Sequence, residues 1–144
     1  MVRDARSGDF DVIMALYRQL QPQDPVLTDG SDRRAFDSIL RSESLHLLVL
    51  EHDHRVVATA YLNVIPNITR SASPYAVIEN VVVAAELRGR GFGKELMAAV
   101  LERAWQGGCY KAMLMTGSRR ESNHGFYRSC GFSGDDKTAY VARR

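Results

Sequence analysis

The segment Ile78-Glu-Asn-Val-Val-Val83, followed shortly by Arg88-Gly-Arg-Gly-Phe-Gly93, decides how this chain folds. The first part is apolar and β-branched, which predicts a strand, and Val81–Val83 is too apolar for an edge position. The second part places glycines at alternate positions in front of an amphipathic helical pattern that runs to Gln106. The sequence therefore predicts a strand, a glycine-rich turn and a helix in direct succession.

The glycine-rich turn is suited to binding phosphate. Gly89, Gly91 and Gly93 let the backbone approach a ligand closely and adopt positive φ where the turn needs it. Amides at a helix start have no intrahelical acceptor and are backed by the helix dipole, so they attract anions. Arg88 or Arg90 can add positive charge. A purely structural strand-to-helix turn is the alternative, because three alternate glycines alone would serve it equally well.

Two familiar phosphate patterns do not match this turn. A Walker loop requires Ser or Thr after Gly-Lys, whereas Gly93-Lys94 is followed by Glu95. The dinucleotide fingerprint requires a third glycine at position 94, which is lysine. The turn is therefore expected to bind a phosphate-containing ligand by neither of these two motifs.

The rest of the chain completes a mixed α/β pattern. The predicted elements are helices over 9–20 and 31–41, strands over 47–51, 55–64 and 76–84, a helix over 92–106, a strand over 110–116, a helix over 121–129 and a strand over 137–142. No repeat or linker interrupts this order. We expect one domain over residues 1–144, built as a mixed α/β sheet with helices on its faces.

Composition narrows the class of protein further. The net charge of +2 is too small to indicate a nucleic-acid partner. No apolar run approaches the roughly 18 residues that a membrane span needs, and charged residues follow Met1 where a signal peptide would be apolar. Cys109 and Cys130 are too few for a disulfide framework, and no Cys/His spacing suggests a metal. We expect a cytoplasmic protein without a metal site.

Four segments together resemble the GNAT (Gcn5-related N-acetyltransferase) superfamily. Arg88-x-x-Gly91-x-Gly93 resembles its acyl-CoA pyrophosphate turn, and Ile78–Val83 resembles its fourth strand. Gly108-Cys-Tyr-Lys111 opens a strand like its fifth, and Asn123–Phe132 is similar to the helix and turn that follow. The resemblance implies a central, mostly antiparallel sheet splayed between strands four and five, with helices on both faces. It also implies acetyl-CoA as cofactor and transfer of an acetyl group to a small-molecule primary amine.

Within the superfamily, the motifs look closest to glucosamine-6-phosphate N-acetyltransferases. Glu79-Asn80 departs from the Glu-Asp that those members usually carry, and Ala58 stands where glycine is typical. These departures concern the amino-sugar acceptor more than the cofactor. A protein or peptide N-acetyltransferase and a non-catalytic acyl-CoA-binding module are the alternatives. The resemblance further implies that two copies can pair as a homodimer.

The resemblance also assigns roles to residues. It places the cofactor on Val81, Val82, Val83, Arg88, Gly89, Arg90, Gly91, Phe92, Gly93, Lys94, Asn123 and Tyr127. Tyr127 matches the family tyrosine near the CoA sulfur, where a phenol can protonate the departing thiolate. Its alternative is a core tyrosine on an amphipathic helix, and Asn123 could equally be an N-cap. The amides around Val82 and Val83 would stabilise the oxyanion.

Three further residues are candidates for the acceptor side. Glu79 is the candidate base, because it shares strand parity with Val81 and Val83; a strand-end salt bridge is the alternative. Asn80 is a candidate substrate contact, although alternation points it to the other face. Arg70 belongs to the loop before the cofactor strand, which often lines the acceptor pocket in this fold.

Overall fold

A five-stranded mixed sheet organises the first of two compact units in the computed structural model. The structure describes all 144 residues, and the units are residues 1–114 and 115–144. The strands lie in the order β1 (Val2–Asp4), β2 (Leu45–His52), β3 (Arg55–Ile65), β4 (Tyr75–Val83) and β5 (Ala112–Leu114). β1 to β4 pair antiparallel, and β5 pairs parallel to β4. The predicted mixed, mostly antiparallel sheet is confirmed.

Four helices follow the predicted order, and the short α3 is an addition that was not predicted. The helices are α1 (Phe10–Leu20), α2 (Ser31–Leu40), the short α3 (Thr69–Ala72), α4 (Phe92–Gln106) and, in the second unit, α5 (Glu121–Ser129). In α3, three consecutive non-glycine residues, Arg70, Ser71 and Ala72, have positive φ, so this turn is left-handed. No helix combines the length and apolar character that a membrane crossing requires.

Helices cover both faces of the sheet. Ile13 of α1 and Phe36 of α2 pack with Leu47 and Val49 of β2 in one buried cluster. Because strand side chains alternate, the equally buried Leu48 and Leu50 face the opposite side of the sheet. On that side α4 packs mainly on β3. The hydrophobic core therefore has two layers, with the sheet between them.

A β-bulge in β4 reverses the alternation of its side chains. Thr59 of β3 pairs with Val82, but Tyr61 pairs with Glu79, so two residues of β4, Asn80 and Val81, lie opposite one residue of β3. Asn80 takes up the extra length with a φ of 52°. Paired residues of antiparallel strands point to the same face, so Glu79 and Val82 both face the side that α1 covers.

The splay expected between β4 and β5 is present. β5 pairs only with residues 76–78 of β4, through Ala112–Leu114. No strand pairs with residues 79–83 on that side, and we call this stretch the open edge of β4. Val81–Val83 is thus interior on one side and unpaired on the other, although its composition predicts a fully interior strand.

Two strand predictions were wrong. No strand forms over 137–142, where the backbone makes no hydrogen bond and Tyr140 and Val141 are exposed; alternation alone does not make a strand without a partner. β1 was missed, because Val2-Arg-Asp4 contains one apolar residue and is too short to show a period. β5 is also shorter than the predicted 110–116. The single domain over 1–144 stays a prediction.

An ion pair ties β1 to the start of α1. Arg3 donates to Asp9 from Nη1 at 2.7 Å and from Nη2 at 3.1 Å, and the Arg6 amide donates to Asp9 Oδ2 at 2.7 Å. Asp9 therefore binds residues before α1 and makes no capping hydrogen bond to the helix itself. The Arg3 guanidinium holds the pKa of the Asp9 carboxyl below its usual range, against the effect of burial.

We expect Asp9 to stabilise the fold in a pH-dependent manner. A carboxyl whose pKa is lower in the folded than in the unfolded state stabilises above about pH 4 and loses that contribution as the pH falls further. Asp9→Asn should lower the free energy of unfolding at pH 7 by roughly 1–2 kcal/mol, and should flatten its decline below pH 4. Urea unfolding across this range measures both, with Asp136→Asn, at an exposed position, as control. Equal acid slopes in wild type and Asp9→Asn would contradict this account.

Candidate functional site

Six consecutive backbone amides, three before α4 and three in its first turn, have no acceptor within the chain. Gly91 caps the helix with a φ of 88°, and Gly89 has a φ of 76°. The first amide to find a partner is that of Glu95, which donates to the Gly91 carbonyl at 3.0 Å. The amides of residues 89–94 donate to no backbone or side-chain acceptor. We call residues 89–94 the amide row; free amides at the start of a helix are suited to binding an anion.

Two cations accompany the amide row. Arg90 and Lys94 are exposed and form no ion pair, so their charges are available to a bound anion. Arg88 instead donates from Nε to the Val83 carbonyl at 3.1 Å and so joins the turn to β4. Phe92, in the first turn of α4, packs its ring on His52 with the centroids 4.6 Å apart. A diphosphate matches this set of six N–H donors and two cations.

The open edge of β4 presents the Val83 backbone. The Ala84 amide donates to the Val57 carbonyl of β3 at 2.8 Å. Backbone groups alternate in direction along a strand, so the Val82 amide also points toward β3 and the Val83 amide points away from it. Of the two amides expected to face a ligand, only that of Val83 is directed to the open edge. The buried Val82 side chain packs with Leu16 of α1.

The bulge corrects the expected orientation of Glu79 and Asn80. Glu79 does not share its face with Val83, because the extra residue in β4 shifts its side chain to the face of Val82 and Tyr61. Asn80 does not point to the opposite face either, since its side chain lies close enough to the Tyr17 phenol of α1 to lower the pKa of that phenol. Both polar side chains therefore lie on the side of the sheet that α1 covers.

Tyr17 is a residue that the sequence did not single out. Burial raises the pKa of its phenol to about 12, while the nearby Asn80 and Thr59 side chains act on the pKa in the opposite direction. The Thr59 hydroxyl in turn donates to the Leu48 carbonyl at 2.9 Å. Tyr17 therefore stays neutral at physiological pH and supports the bulge from the α1 side. Its only sequence signal is its place on the apolar face of the first helix.

Arg70 makes none of its contacts with Glu79, Asn80 or Tyr17. It sits in the left-handed α3 turn, and its guanidinium lies over the Tyr110 ring at 5.7 Å from the centroid. The Asn67 side chain holds this turn by donating to the Thr69 and Ser73 carbonyls at 3.0 and 3.3 Å. The structure thus gives Arg70 an aromatic contact, and its role toward an acceptor stays a prediction.

Asn123 and Tyr127 belong to α5 in the second unit. Arg120 occupies the N-cap position of α5, and Asn123 lies within the first turn, so the N-cap alternative for Asn123 is wrong. The exposed Asn123 side chain makes no hydrogen bond. It is therefore available to a ligand.

The phenol of Tyr127 is held in its protonated form. Its ring is partly buried, with the Phe126 and Phe132 rings at centroid distances of 5.1 and 6.3 Å. Burial raises the pKa of Tyr127, and the nearby Cys130 thiol adds to the effect. Tyr127 can therefore donate a proton throughout the physiological pH range.

Comparison with known proteins identifies the family. The chain belongs to the acetyltransferase (GNAT) family, whose family model matches residues 13–132. It is similar to glucosamine 6-phosphate N-acetyltransferase 1 of Oryza sativa subsp. japonica, with 31% identity over 122 residues that cover 83% of this chain and 72% of that protein. These findings make the chain an acyl-CoA-dependent N-acetyltransferase.

Solved structures agree with this assignment. A putative acetyltransferase from Agrobacterium tumefaciens str. C58 is 40% identical, with a TM-score of 0.94 over 100% of this chain and 99% of that one. The fold is also that of the aminoglycoside N-acetyltransferase AAC(6')-Iy in complex with CoA, at 20% identity and a TM-score of 0.83, covering 100% of this chain and 94% of that one.

We expect Gly91→Ala to impair both the turn and the amide row. A side chain at φ 88° is strained, at a cost of about 1–2 kcal/mol in the free energy of unfolding. Relief of that strain would turn the amides of the row away from one another and weaken coenzyme A binding. Calorimetric titration with coenzyme A, alongside thermal unfolding, measures both effects. The control is Gly8→Ala, where φ is not left-handed and an added methyl group meets nothing within 4 Å. Unchanged affinity in Gly91→Ala would show that the row does not hold the cofactor.

Proposed function

We propose that this enzyme transfers an acetyl group from acetyl-CoA to the primary amine of a small molecule, by direct attack in a ternary complex. One observation carries the proposal: the row of six free amides lies just beyond the open edge of β4, and the Arg88–Val83 hydrogen bond joins the two. Coenzyme A has a diphosphate followed by an extended arm with amide groups. The amide row suits the first part and the open edge suits the second.

The donor would be held mainly by the backbone of this chain. The N–H groups of residues 89–94 would bind the diphosphate, with Arg90 and Lys94 adding charge. The amide-bearing arm would lie along the open edge as an added strand does, exchanging hydrogen bonds with β4. Val81, Val82 and Asn123 are the remaining proposed contacts of the cofactor. Only acetyl-CoA supplies the activated thioester; every other group here belongs to the chain.

The reaction requires a stabilised oxyanion and a proton for the leaving thiolate. The amine nitrogen attacks the thioester carbon, the new C–N bond forms, and the C–S bond breaks from the tetrahedral intermediate. The outward Val83 amide is the proposed donor to the oxyanion. Tyr127, which burial keeps protonated, is the proposed acid that transfers its proton to the sulfur.

Glu79 is the proposed acceptor of the amine proton, directly or through a water molecule. Its support is its place on the α1-covered face beside the bulge, where Asn80 and Tyr17 supply polar groups for an acceptor. Asn80 is the proposed substrate contact, and Tyr17 positions it. A small-molecule acceptor is further supported by the relatives, whose names refer to glucosamine 6-phosphate and aminoglycosides.

Replacing Tyr127 by Phe should lower kcat by roughly 100-fold or more, the range of general acid catalysis, with little change in coenzyme A affinity. Release of free thiol from acetyl-CoA, measured with a panel of primary amines, follows the reaction. Tyr140→Phe, at an exposed position, is the matched control and should behave as the wild type. If the wild-type protein bound coenzyme A but released no thiol with any amine, it would instead be a non-catalytic binding module.

Replacing Glu79 by Gln should lower kcat/KM most at neutral pH and least at alkaline pH. The base matters only while the amine is protonated, so the defect should shrink as the neutral amine becomes abundant. The ratio of wild-type to variant kcat/KM, measured between about pH 7 and about pH 9.5, tests this role. A constant ratio across that range would mean that Glu79 has a structural role only.

A further inference from the structure

A groove of about 460 Å³ lies between α1 and the connection that leads to α2. Its α1 wall carries Phe10, Met14 and Tyr17, and its other wall includes Val26 and Leu27. Val26 and Leu27 are exposed to an extent that is unusual for aliphatic side chains, at 77% and 47%. The walls of the groove therefore offer apolar surface to an extended ligand.

The polar groups of the groove are mostly carboxylates. Asp11, Asp24 and Asp32 line it, and Arg18 is the only cationic side chain in the lining. The carboxylates of Asp11 and Asp24 make no hydrogen bond or ion pair, and that of Asp32 accepts only the Arg33 amide, at 2.8 Å. Arg18 forms no ion pair with any of them. Three carboxylates against one guanidinium leave the lining with a formal charge of −2, which an anionic ligand would not offset.

One side chain, that of Tyr17, connects the groove with the bulge of β4. Tyr17 lines the groove and also packs against the buried cluster of Leu16, Val82 and Ala84, beside the bulge of β4. An acceptor whose reacting amine lies at the bulge would therefore extend past Tyr17 along the apolar walls. Its far end would lie among the carboxylates.

We propose that the acceptor is an aliphatic diamine or polyamine, with one amine acetylated and a second, still cationic, held by Asp11 and Asp24. This rests on the proposed function and names the substrate class of the same site. An ammonium at the far end gains attraction from unpaired carboxylates, whereas a phosphate or carboxylate there is repelled. The same lining disfavours a phosphorylated amino sugar, although relatives are named for one.

Acceptors matched in length test the proposal. The wild-type enzyme with saturating acetyl-CoA would be assayed on 1,6-diaminohexane, hexylamine and 6-aminohexanoate, and on glucosamine with and without its 6-phosphate. We expect kcat/KM to fall in the order diamine, monoamine, amino acid. The preference of diamine over monoamine should shrink between about 0.01 M and 1 M salt, because the screening length falls from about 30 Å to about 3 Å.

Asn substitutions assign the effect to the carboxylates. Asp11→Asn and Asp24→Asn should each lower kcat/KM for the diamine roughly two- to fivefold, as expected of an exposed ion pair, through KM and not kcat. Both should leave hexylamine unchanged. Asp136→Asn removes an exposed aspartate that does not line the groove, and should leave every acceptor unchanged.

The outcomes separate this inference from the proposed function. A preference for glucosamine 6-phosphate or 6-aminohexanoate over the matched cation would overturn the cationic acceptor and leave acetyl transfer intact. Equal losses on diamine and monoamine in the Asn variants would also overturn it. Failure of the wild type to acetylate any amine would instead refute the proposed function itself.

Discussion

The early departure of β5 from β4 is the constraint on which the rest of this structure depends. A strand in the middle of a sheet normally has both edges paired, but β4 keeps its β5 partner only over residues 76–78. The five residues that follow retain β3 on one side and leave backbone groups free on the other. An unpaired apolar edge is a liability in an ordinary sheet. In this chain it lies next to the start of a helix whose own first amides are unpaired.

The bulge at Asn80 gives this edge its chemistry. Without it, Glu79 would face the same side as Val83, away from α1. With it, Glu79, Asn80 and Tyr17 lie on the side that α1 covers, while the Val83 amide keeps its outward direction. Because of this one residue in the left-handed region, the polar side chains lie on the face covered by α1, while the free backbone groups lie at the open edge. We associate the open edge with the donor and the α1 side with the acceptor.

Local features were predictable from the sequence, and long-range ones were not. The strand, glycine-rich turn and helix over 78–106 depend on neighbouring residues, so their periodicity and the position of Gly91 indicated them correctly. The bulge depends on how Thr59 and Tyr61 pair across the sheet, which nothing near Asn80 reveals. The contact between Tyr17 and Asn80 bridges residues 63 positions apart.

The same distinction explains the strand errors. Residues 137–142 alternate as a strand does but have no pairing partner, whereas β1 forms because β2 pairs with it. The cytoplasmic location and the homodimer depend on surroundings outside this chain, and both stay predictions from the sequence.

The most direct test of the central claim is to follow backbone amide resonances by NMR while coenzyme A is added. We predict that the amides of Val83 and of residues 89–94 shift together, with one dissociation constant, and become protected from hydrogen exchange. The Val82 amide, already paired with β3, should change far less. Saturable coenzyme A binding that leaves the Val83 amide and the amide row unperturbed would contradict the account.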